Sequence, residues 1–262
     1  MLLCVVGDVC GVTQLHDVVY IVCQWSSAIR RFSATTHQRL ADINVTGLRY
    51  PRDIVACQQT SQLYVADCPM SSTDACVWRV SSDGADIKRW LTKSPSGTFT
   101  PWTLSVTATR LLVTSHYTKQ LMQFDADGNE LRRVHLPKYV TTTEHAVESP
   151  TETFIVGHHN IQLKQRQVSE VNTEGEVLRQ FSGPLGCTPH VAVDSQGNMF
   201  VADFGNRRIL LLDDQLALRR VIIDKHQLND KPWRLCYIEH SGQLLVVLDS
   251  SCSVAVFDVL HR

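Results

Sequence analysis

The stretch HVAVDSQGNMFVADFGNRRILLLD, from His190 to Asp213, places one histidine, three aspartates and two adjacent arginines in a short segment. Carboxylates and imidazoles that converge act as general acids and bases, or they bind divalent metals. Taken alone, the segment is therefore a candidate reaction centre. The structural elements that would hold Asp203, Arg208 and their neighbours decide whether this interpretation stands.

The apolar part of this segment, MFVADF, belongs to a repeat that spans the chain. Related copies are VYIVCQ, LYVADC, LLVTSH, TFIVGH and LLVVLD, and their second residues recur at a spacing of 42 to 48 residues. Around each copy the pattern predicts four strands, here named A to D, separated by turns rich in Gly, Asn and Asp. A proline stands before strand A at Pro51, Pro101, Pro189 and Pro232.

Four-stranded units at this period are typical of a β-propeller, because each blade buries its faces against its neighbours. The sequence therefore predicts an all-β, six-bladed propeller of four-stranded antiparallel blades that forms a single domain over residues 1–262. The expected blades are roughly 7–45, 46–92, 93–137, 138–182, 183–224 and 225–262 plus 1–6. The N-terminal strand is expected to complete the last blade and close the ring.

The segment TPHVAVDSQGNMFVADFGNRRILLLD resembles the NHL repeat, with its proline, D-x-x-G-N turn, V-A-D strand and N-x-R-I segment. The similarity is strong in repeat five, good in repeat two and weak in repeats one and four. NHL propellers are best known as the C-terminal domain of tripartite-motif ubiquitin ligases, where they bind protein substrates or structured RNA. The resemblance implies a recognition domain, and no RING or B-box cysteine and histidine pattern precedes it here.

The repeat changes the interpretation of the acidic residues. Asp203 and Arg208 are expected to stabilise the turn between strands B and C, Asp67 holds the equivalent place in repeat two, and Asp194 is also assigned a structural role. His116, His158 and His159 are interpreted as surface or loop residues, because adjacent histidines on a strand point to opposite faces and chelate poorly. Neither a catalytic residue, a metal site nor a cofactor is predicted.

Composition adds further expectations. The formal net charge is −1 and 19% of residues are charged, so composition alone points neither to nucleic acid nor to a membrane. Nine cysteines without CxxC pairs indicate reduced, cytoplasmic usage, and no disulfide is expected between Cys68 and Cys76. The apolar N-terminus, interrupted by Asp8, is interpreted as a strand and not as a signal peptide.

The predicted binding surface is the face that carries the D-to-A crossings and the B-to-C loops. In blades two and four the aligned B and C positions are 16 and 17 residues apart, against 12 in the others, which predicts enlarged loops there. This face is expected to be mildly basic and to carry aromatic residues. The candidate partner-binding residues are Arg30, Arg49, Arg52, Trp102, His116, Tyr117, Lys119, Tyr139, His158, His159, Arg166, His190, Phe204, Arg207 and Trp233.

The function predicted first is protein binding, as a scaffold or substrate receptor in a setting similar to that of a ubiquitin ligase, without a small-molecule substrate. RNA binding, to a hairpin or single strand, is the first alternative. The second is a metal-dependent hydrolase, since gluconolactonase and paraoxonase propellers hold a channel metal with an early glutamate among its ligands. The first glutamate here is Glu130, so the chain is predicted not to be an enzyme.

Overall fold

The computed structural model describes residues 2–5, 7–69, 74–92, 100–107, 109–115, 118–187, 189–249 and 252–259. Strands in this part of the chain form six four-stranded antiparallel sheets, one per blade. In chain order the strands are β1 (Leu2–Cys4), β2 (Val9–Leu15), β3 (Val18–Cys23), β4 (Ala28–Ser33), β5 (Arg39–Asn44), β6 (Pro51–Cys57), β7 (Gln62–Asp67), β8 (Cys76–Ser81), β9 (Ile87–Leu91), β10 (Pro101–Val106), β11 (Leu111–Ser115), β12 (Gln120–Phe124), β13 (Glu130–His135), β14 (Val140–Glu148), β15 (Phe154–Asn160), β16 (Gln165–Val171), β17 (Val177–Gln180), β18 (His190–Val193), β19 (Met199–Asp203), β20 (Arg208–Leu212), β21 (Leu218–Ile223), β22 (Pro232–Ile238), β23 (Gln243–Leu248) and β24 (Ser253–Asp258).

The predicted six-bladed propeller is confirmed, including its closure. Blades one to five use consecutive strands, from β2–β5 to β18–β21, and blade six combines β22, β23 and β24 with β1. The closing strand pairs antiparallel with β24, with Leu3 opposite Val254. Pairing the two ends of the chain in one blade covers a strand edge that would otherwise be open.

Buried clusters form at all six joints between blades, which explains why the repeat specifies a ring. The first joint packs Leu15 and Tyr20 of blade one against Leu63 and Val80 of blade two, and an equivalent cluster joins each following pair of blades, including blades six and one. Burial of aliphatic and aromatic side chains contributes roughly 25 cal/mol per Å² removed from water. Each blade therefore depends on both neighbours.

The D-x-x-G-N segment of blade five forms the turn that its composition predicts. The Asp194 carboxylate accepts the backbone amides of Gln196 (3.0 Å) and Asn198 (2.8 Å), while Gly197 adopts a φ of 84° that favours glycine. The structural role expected for Asp194 agrees with these contacts. Among the described residues no helix is long and apolar enough to cross a membrane.

The longer B-to-C connection of blade four is not an enlarged loop. Strands β15 and β16 extend in register until Asn160 pairs with Gln165, so the extra residues lengthen a hairpin and leave a short turn. At that turn Ile161 and Leu163 are 53% and 56% exposed. The corresponding connection of blade two lies between Asp67 and Cys76, and its residues 70–73 are outside the described part of the chain.

Candidate functional site

A ring of six residues lines one level of the central channel, with one residue from the inner strand of each blade. The members are equivalent in register, since each stands opposite the same position of its strand B. This channel ring consists of Gly11, Asp53, Thr103, His145, His190 and Arg234. Its polar members are all buried, so the ring gathers ionisable groups in the interior of the propeller.

Several ring side chains hydrogen-bond to the backbone of an adjacent blade. The Leu104 amide donates to Asp53 Oδ2 at 2.9 Å, and Thr103 Oγ1 donates to the Glu144 carbonyl at 2.8 Å. These contacts use the backbone groups on the free edge of each inner strand, which would otherwise be buried without partners.

The same pattern continues around the ring and closes it. The Leu235 amide donates to His190 Nδ1 at 3.3 Å, and Arg234 Nε donates to the Cys10 carbonyl at 3.2 Å. The Cys10 thiol in turn donates to the Pro51 carbonyl at 3.0 Å. These bonds connect blade five to blade six, blade six to blade one, and blade one to blade two along the channel wall.

Two histidines occupy the remaining joint, between blades four and five. The rings of His145 and His190 stack with centroids 3.7 Å apart and an interplanar angle of 15°. His145 Nε2 lies 3.0 Å from the Leu104 carbonyl, which only accepts, so this nitrogen carries the proton. Burial lowers the pKa of His145 to about 3 and that of His190 well below its ordinary value, so both rings are neutral near pH 7.

Charged groups complete the ring. Arg234 Nη1 reaches Glu144 Oε1 at 3.4 Å, and the pKa of the buried Asp53 carboxyl is raised to about 6 by desolvation, which the Arg234 charge partly opposes. One oxygen of Asp53 and one ring nitrogen from each histidine lie within 4.8 Å of one another. By residue type this trio could hold a metal ion, a grouping that the sequence interpretation did not find.

The ring was missed because of a difference of one residue in strand A. In blades two, three and six the pairing of strands A and B shifts by one residue directly after the proline. Arg52, Trp102 and Trp233 are therefore left out of the pairing and stay at the loop face. The residue that follows each of them takes the channel position. Strand β18 pairs with β19 without such a shift, from His190 onwards. The prediction that His190 belongs with the crossing residues is therefore corrected, since His190 is a buried member of the channel ring.

On the loop-rich face, four side chains from blades one to three stack in sequence. Trp25 contacts Tyr50 edge to face with centroids 4.3 Å apart, and the Arg52 guanidinium lies 4.0 Å from the Tyr50 ring and 4.3 Å from the Trp102 ring. Trp25 is 69% exposed. This aromatic row, comprising Trp25, Tyr50, Arg52 and Trp102, runs from the rim towards the channel mouth, where Arg52 and Trp102 line a cavity of about 300 Å³.

A second aromatic contact lies on the opposite side of this mouth. Phe204 and Trp233 pack edge to face at 5.6 Å, and the Lys231 ammonium lies 5.0 Å from the Phe204 ring. Arg52, Trp102, Phe204 and Trp233 thus share the face predicted for them. Trp25 was absent from the predicted set, although its place in the first B-to-C turn was a signal that could have identified it.

Several basic residues predicted to bind a partner already have intramolecular partners. Arg49 pairs with Asp74 at 3.2 Å, and Lys119 Nζ donates to the Lys138 carbonyl at 3.2 Å. Arg207 Nη2 donates to the carbonyls of Leu228 (2.9 Å) and Asn229 (3.0 Å). Arg49 is thus paired with an acid, while Lys119 and Arg207 keep their charge but use donors within the chain.

The other predicted residues are dispersed. His158 is 1% exposed on β15 and contacts Ser169 Oγ at 2.8 Å, so its interpretation as a surface residue is wrong. Its neighbour His159 is half-buried and contacts Thr141 Oγ1 at 3.2 Å. Three further residues of the predicted set are half-buried, namely Arg30, Tyr139 and Arg166. His116 and Tyr117 lie outside the described residues.

Asp203 makes structural contacts, as the repeat predicted, but the backbone amide that donates a hydrogen bond to it does not lie in the expected turn. The buried carboxylate accepts Arg208 Nε (2.8 Å), Asn206 Nδ2 (2.8 Å) and the Gly186 amide (2.9 Å). Gly186 belongs to the D-to-A crossing and not to the B-to-C turn. Asp67 has the same role in blade two, where its carboxylate accepts a hydrogen bond from the Tyr50 amide at 2.7 Å. These carboxylates tie each crossing to its blade.

Comparisons of the structure with solved proteins identify the fold. The chain is similar to Kuenenia stuttgartiensis hydrazine synthase (TM-score 0.69, 14% identity, covering 96% of this chain and 84% of that one). It is also similar to virginiamycin B lyase from Staphylococcus aureus (TM-score 0.68, 9% identity, 97% of both chains) and to a nidogen/laminin complex (TM-score 0.65, 14% identity, 83% and 80%). No protein-family model and no curated protein matches the chain.

These similarities correct one expectation. The chain was predicted not to be an enzyme, but structures with the same fold include two lyases and hydrazine synthase. Enzymes therefore occur among the proteins of this fold. In addition, an aspartate and two histidines converge in the channel, although no catalytic residue was predicted.

Proposed function

We propose that the loop-rich face recognises a protein partner and that the aromatic row is the centre of the contact. The observation that carries the proposal is the stack itself, in which Arg52 is held between Tyr50 and Trp102 at 4.0 and 4.3 Å. Trp, Tyr and Arg are the residue types that contribute most to binding energy in protein interfaces. Because these side chains are already ordered by one another, they lose little conformational entropy when a partner binds.

The charge distribution favours a protein over RNA. Phosphate binding needs several free cationic side chains, and Arg49, Lys119 and Arg207 are engaged with groups of this chain. The mouth beside the row also contains the carboxylates of Asp8 and Asp249, which repel phosphate. Mixed charge around exposed aromatic rings is typical of protein interfaces.

A role as scaffold or substrate receptor agrees with this surface. The resemblance to NHL repeats supports such a role, because tripartite-motif propellers of that type receive protein substrates. A nidogen/laminin complex, a protein assembly, is among the solved structures with this fold. The structure shows no disulfide among the cysteine side chains that it describes, which supports a cytoplasmic, reducing environment.

Selection of peptides against the intact chain tests the proposal. A displayed peptide library is selected on the wild-type protein, and the affinities of enriched peptides are measured by fluorescence polarisation. We expect Trp25→Ala to weaken binding by about tenfold or more, because it removes an exposed aromatic contact. The matched control is Leu131→Ala, which removes another exposed apolar side chain, 52% exposed on the outer strand of blade three.

Two results would overturn the proposal. One is an enriched peptide set that binds Trp25→Ala and Arg52→Ala as tightly as the wild type. The other is an absence of peptide binding together with binding of an RNA hairpin pool that weakens steeply with salt, which would establish the RNA alternative.

A further inference from the structure

A cavity of about 450 Å³ opens on the side of the channel ring opposite the aromatic row. Its floor is formed by Asp53, His145, His190 and Arg234, and its mouth lies at the turns between strands A and B, near Glu239. The walls between floor and mouth are mainly aliphatic, including Val55, Val147, Ala192 and Val193. A cavity of this size, apolar with a few convergent polar groups, is typical of small-molecule sites.

Asp53 is a buried carboxylate without a close counter-ion. It is 4% exposed, and no cationic group of the described residues lies within 4.0 Å of it, because Arg234 contacts Glu144 instead. From the residues that the structure describes, its oxygens accept only the Ile54 and Leu104 amides, both at 2.9 Å, so lone pairs remain. Removing a charge from water without pairing it is costly, and a cationic ligand would offset that cost.

His145 supplies a second acceptor at the same floor. Since Nε2 donates to the Leu104 carbonyl, Nδ1 has a lone pair, and this buried atom has no hydrogen-bond partner among the described residues. The Val191 backbone raises the pKa of His145, which is the effect of a carbonyl acceptor and not of an amide donor, and it makes no hydrogen bond of regular geometry to Nδ1. The floor therefore presents two acceptors with unused lone pairs, the Asp53 carboxylate and His145 Nδ1.

The stacking of the histidines favours an organic cation over a metal ion. A metal binds imidazole in the plane of the ring, and the planes of His145 and His190 are stacked 3.7 Å apart at only 15°. One ion cannot lie in both planes without a rotation of one ring. An ammonium group needs only the His145 lone pair and the Asp53 carboxylate, and the aliphatic walls suit the rest of an organic molecule.

We propose that this cavity binds a small organic amine, whose protonated head group donates to Asp53 and His145 while its apolar body lies against the aliphatic walls. The site is independent of the protein-binding face, which lies on the other side of the channel ring. It also departs from the expectation, drawn from the sequence, that the chain takes no small-molecule ligand.

Three probes with one carbon skeleton test the head group: benzylamine, benzamide and benzoate. Each is titrated into the full chain by calorimetry, and the ring signals of histidine-labelled protein are followed by NMR. We expect benzylamine to bind with a Kd of about 1 mM and to shift histidine ring signals, while the other two bind at least tenfold more weakly. Binding should weaken as the pH is lowered to about 5, because protonation removes the charge of Asp53 beside Arg234.

Variants locate the site. Asp53→Asn should weaken benzylamine binding about tenfold or more, and Ala192→Leu, which adds bulk to the cavity wall, should do the same. Asp8→Asn, at the opposite mouth, should have no effect. The proposal is overturned if benzamide binds as well as benzylamine, if no probe binds at about 10 mM, or if Ala192→Leu binds normally. It is also overturned if Zn²⁺ alone shifts the histidine signals and benzylamine does not compete.

Discussion

The rings of His145 and His190, contributed by adjacent blades, stack face to face with centroids 3.7 Å apart. Both imidazoles are buried and neutral near pH 7, and each is hydrogen-bonded to a backbone group of a neighbouring blade, His145 to Leu104 and His190 to Leu235. The stack therefore links four blades of the ring, from three to six. Its stability, and that of the channel ring around it, should depend on pH.

Asp53→Asn is expected to make the protein more sensitive to acid. The folded-state pKa of Asp53 is raised to about 6, so this group stabilises the fold at low pH and loses that contribution as the pH rises through 6. His145 acts in the opposite direction, because its pKa is lowered to about 3 and its contribution disappears as the pH falls below the ordinary value of 6.5. Arg234 and Glu144, whose Nη1 and Oε1 atoms lie 3.4 Å apart, are the neighbouring side chains of opposite charge.

In the wild type the two effects partly cancel between about pH 6 and pH 4. Removing Asp53 leaves the histidine effect alone, so the free energy of unfolding of Asp53→Asn should fall with pH by about 3 kcal/mol more than that of the wild type. Urea denaturation at a series of pH values measures this slope. Equal slopes in both proteins would contradict the prediction, and Asp8→Asn should retain the wild-type slope.

Asp203→Ala should destabilise the protein by about 3 kcal/mol or more. The substitution leaves the Gly186 amide and the Arg208 guanidinium without their buried acceptor. Asp42→Ala is the matched control, since Asp42 pairs with Arg39 at the surface and should cost less than about 1 kcal/mol. Chemical denaturation measures the free energy of unfolding of both variants. Similar losses in the two would show that Asp203 stabilises the fold no more than a surface acid does.

Gly157→Ala should be more harmful than an ordinary substitution on a strand. A Cβ at this position would overlap the Pro189 carbonyl oxygen of the next blade, so the backbone of blade four or five must move. We expect a loss of about 2 kcal/mol or more, measured by thermal unfolding. The equivalent residue of blade five is Ala202, opposite His190 as Gly157 is opposite His145. Ala202→Gly should cost only about 1 kcal/mol, and the reverse order would refute the packing argument.

Leu3→Ala tests the closure of the ring. Leu3 is buried opposite Val254 in the joint between blades six and one, whereas the adjacent Leu2 is 45% exposed. Loss of the buried side chain should cost about 2 to 4 kcal/mol, and Leu2→Ala should be nearly neutral. If both variants unfold at the wild-type urea concentration, the closing strand does not contribute to stability.

The period of the repeat was sufficient to predict the fold, because the alternation of apolar residues, the turn residues and the spacing all specify the same blade. The roles of Asp194 and Asp203 followed from their repetition. The channel ring could not be predicted in this way. Asp53, His145 and His190 lie in three different blades, and the shift in strand pairing that brings Asp53 into the channel differs from blade to blade.

The burial of His158 could not be predicted either. Adjacent histidines on a strand point to opposite sides, and the sequence does not indicate which side faces the neighbouring blade. Nor does it distinguish a longer loop from a longer hairpin, as the pairing of Asn160 with Gln165 demonstrates. The burial of His158 and the length of this hairpin both depend on contacts between strands.

The irregular pairing beside the prolines has a consequence for how such a protein can diverge. In blades two, three and six the residue after the proline stays at the loop face, while in blade five His190 takes the channel position directly. Inserting or deleting one residue there would exchange a surface side chain for a channel side chain and leave strands B to D in register. A descendant of this chain could therefore acquire a new channel lining, blade by blade, without rebuilding the packing that holds the ring together.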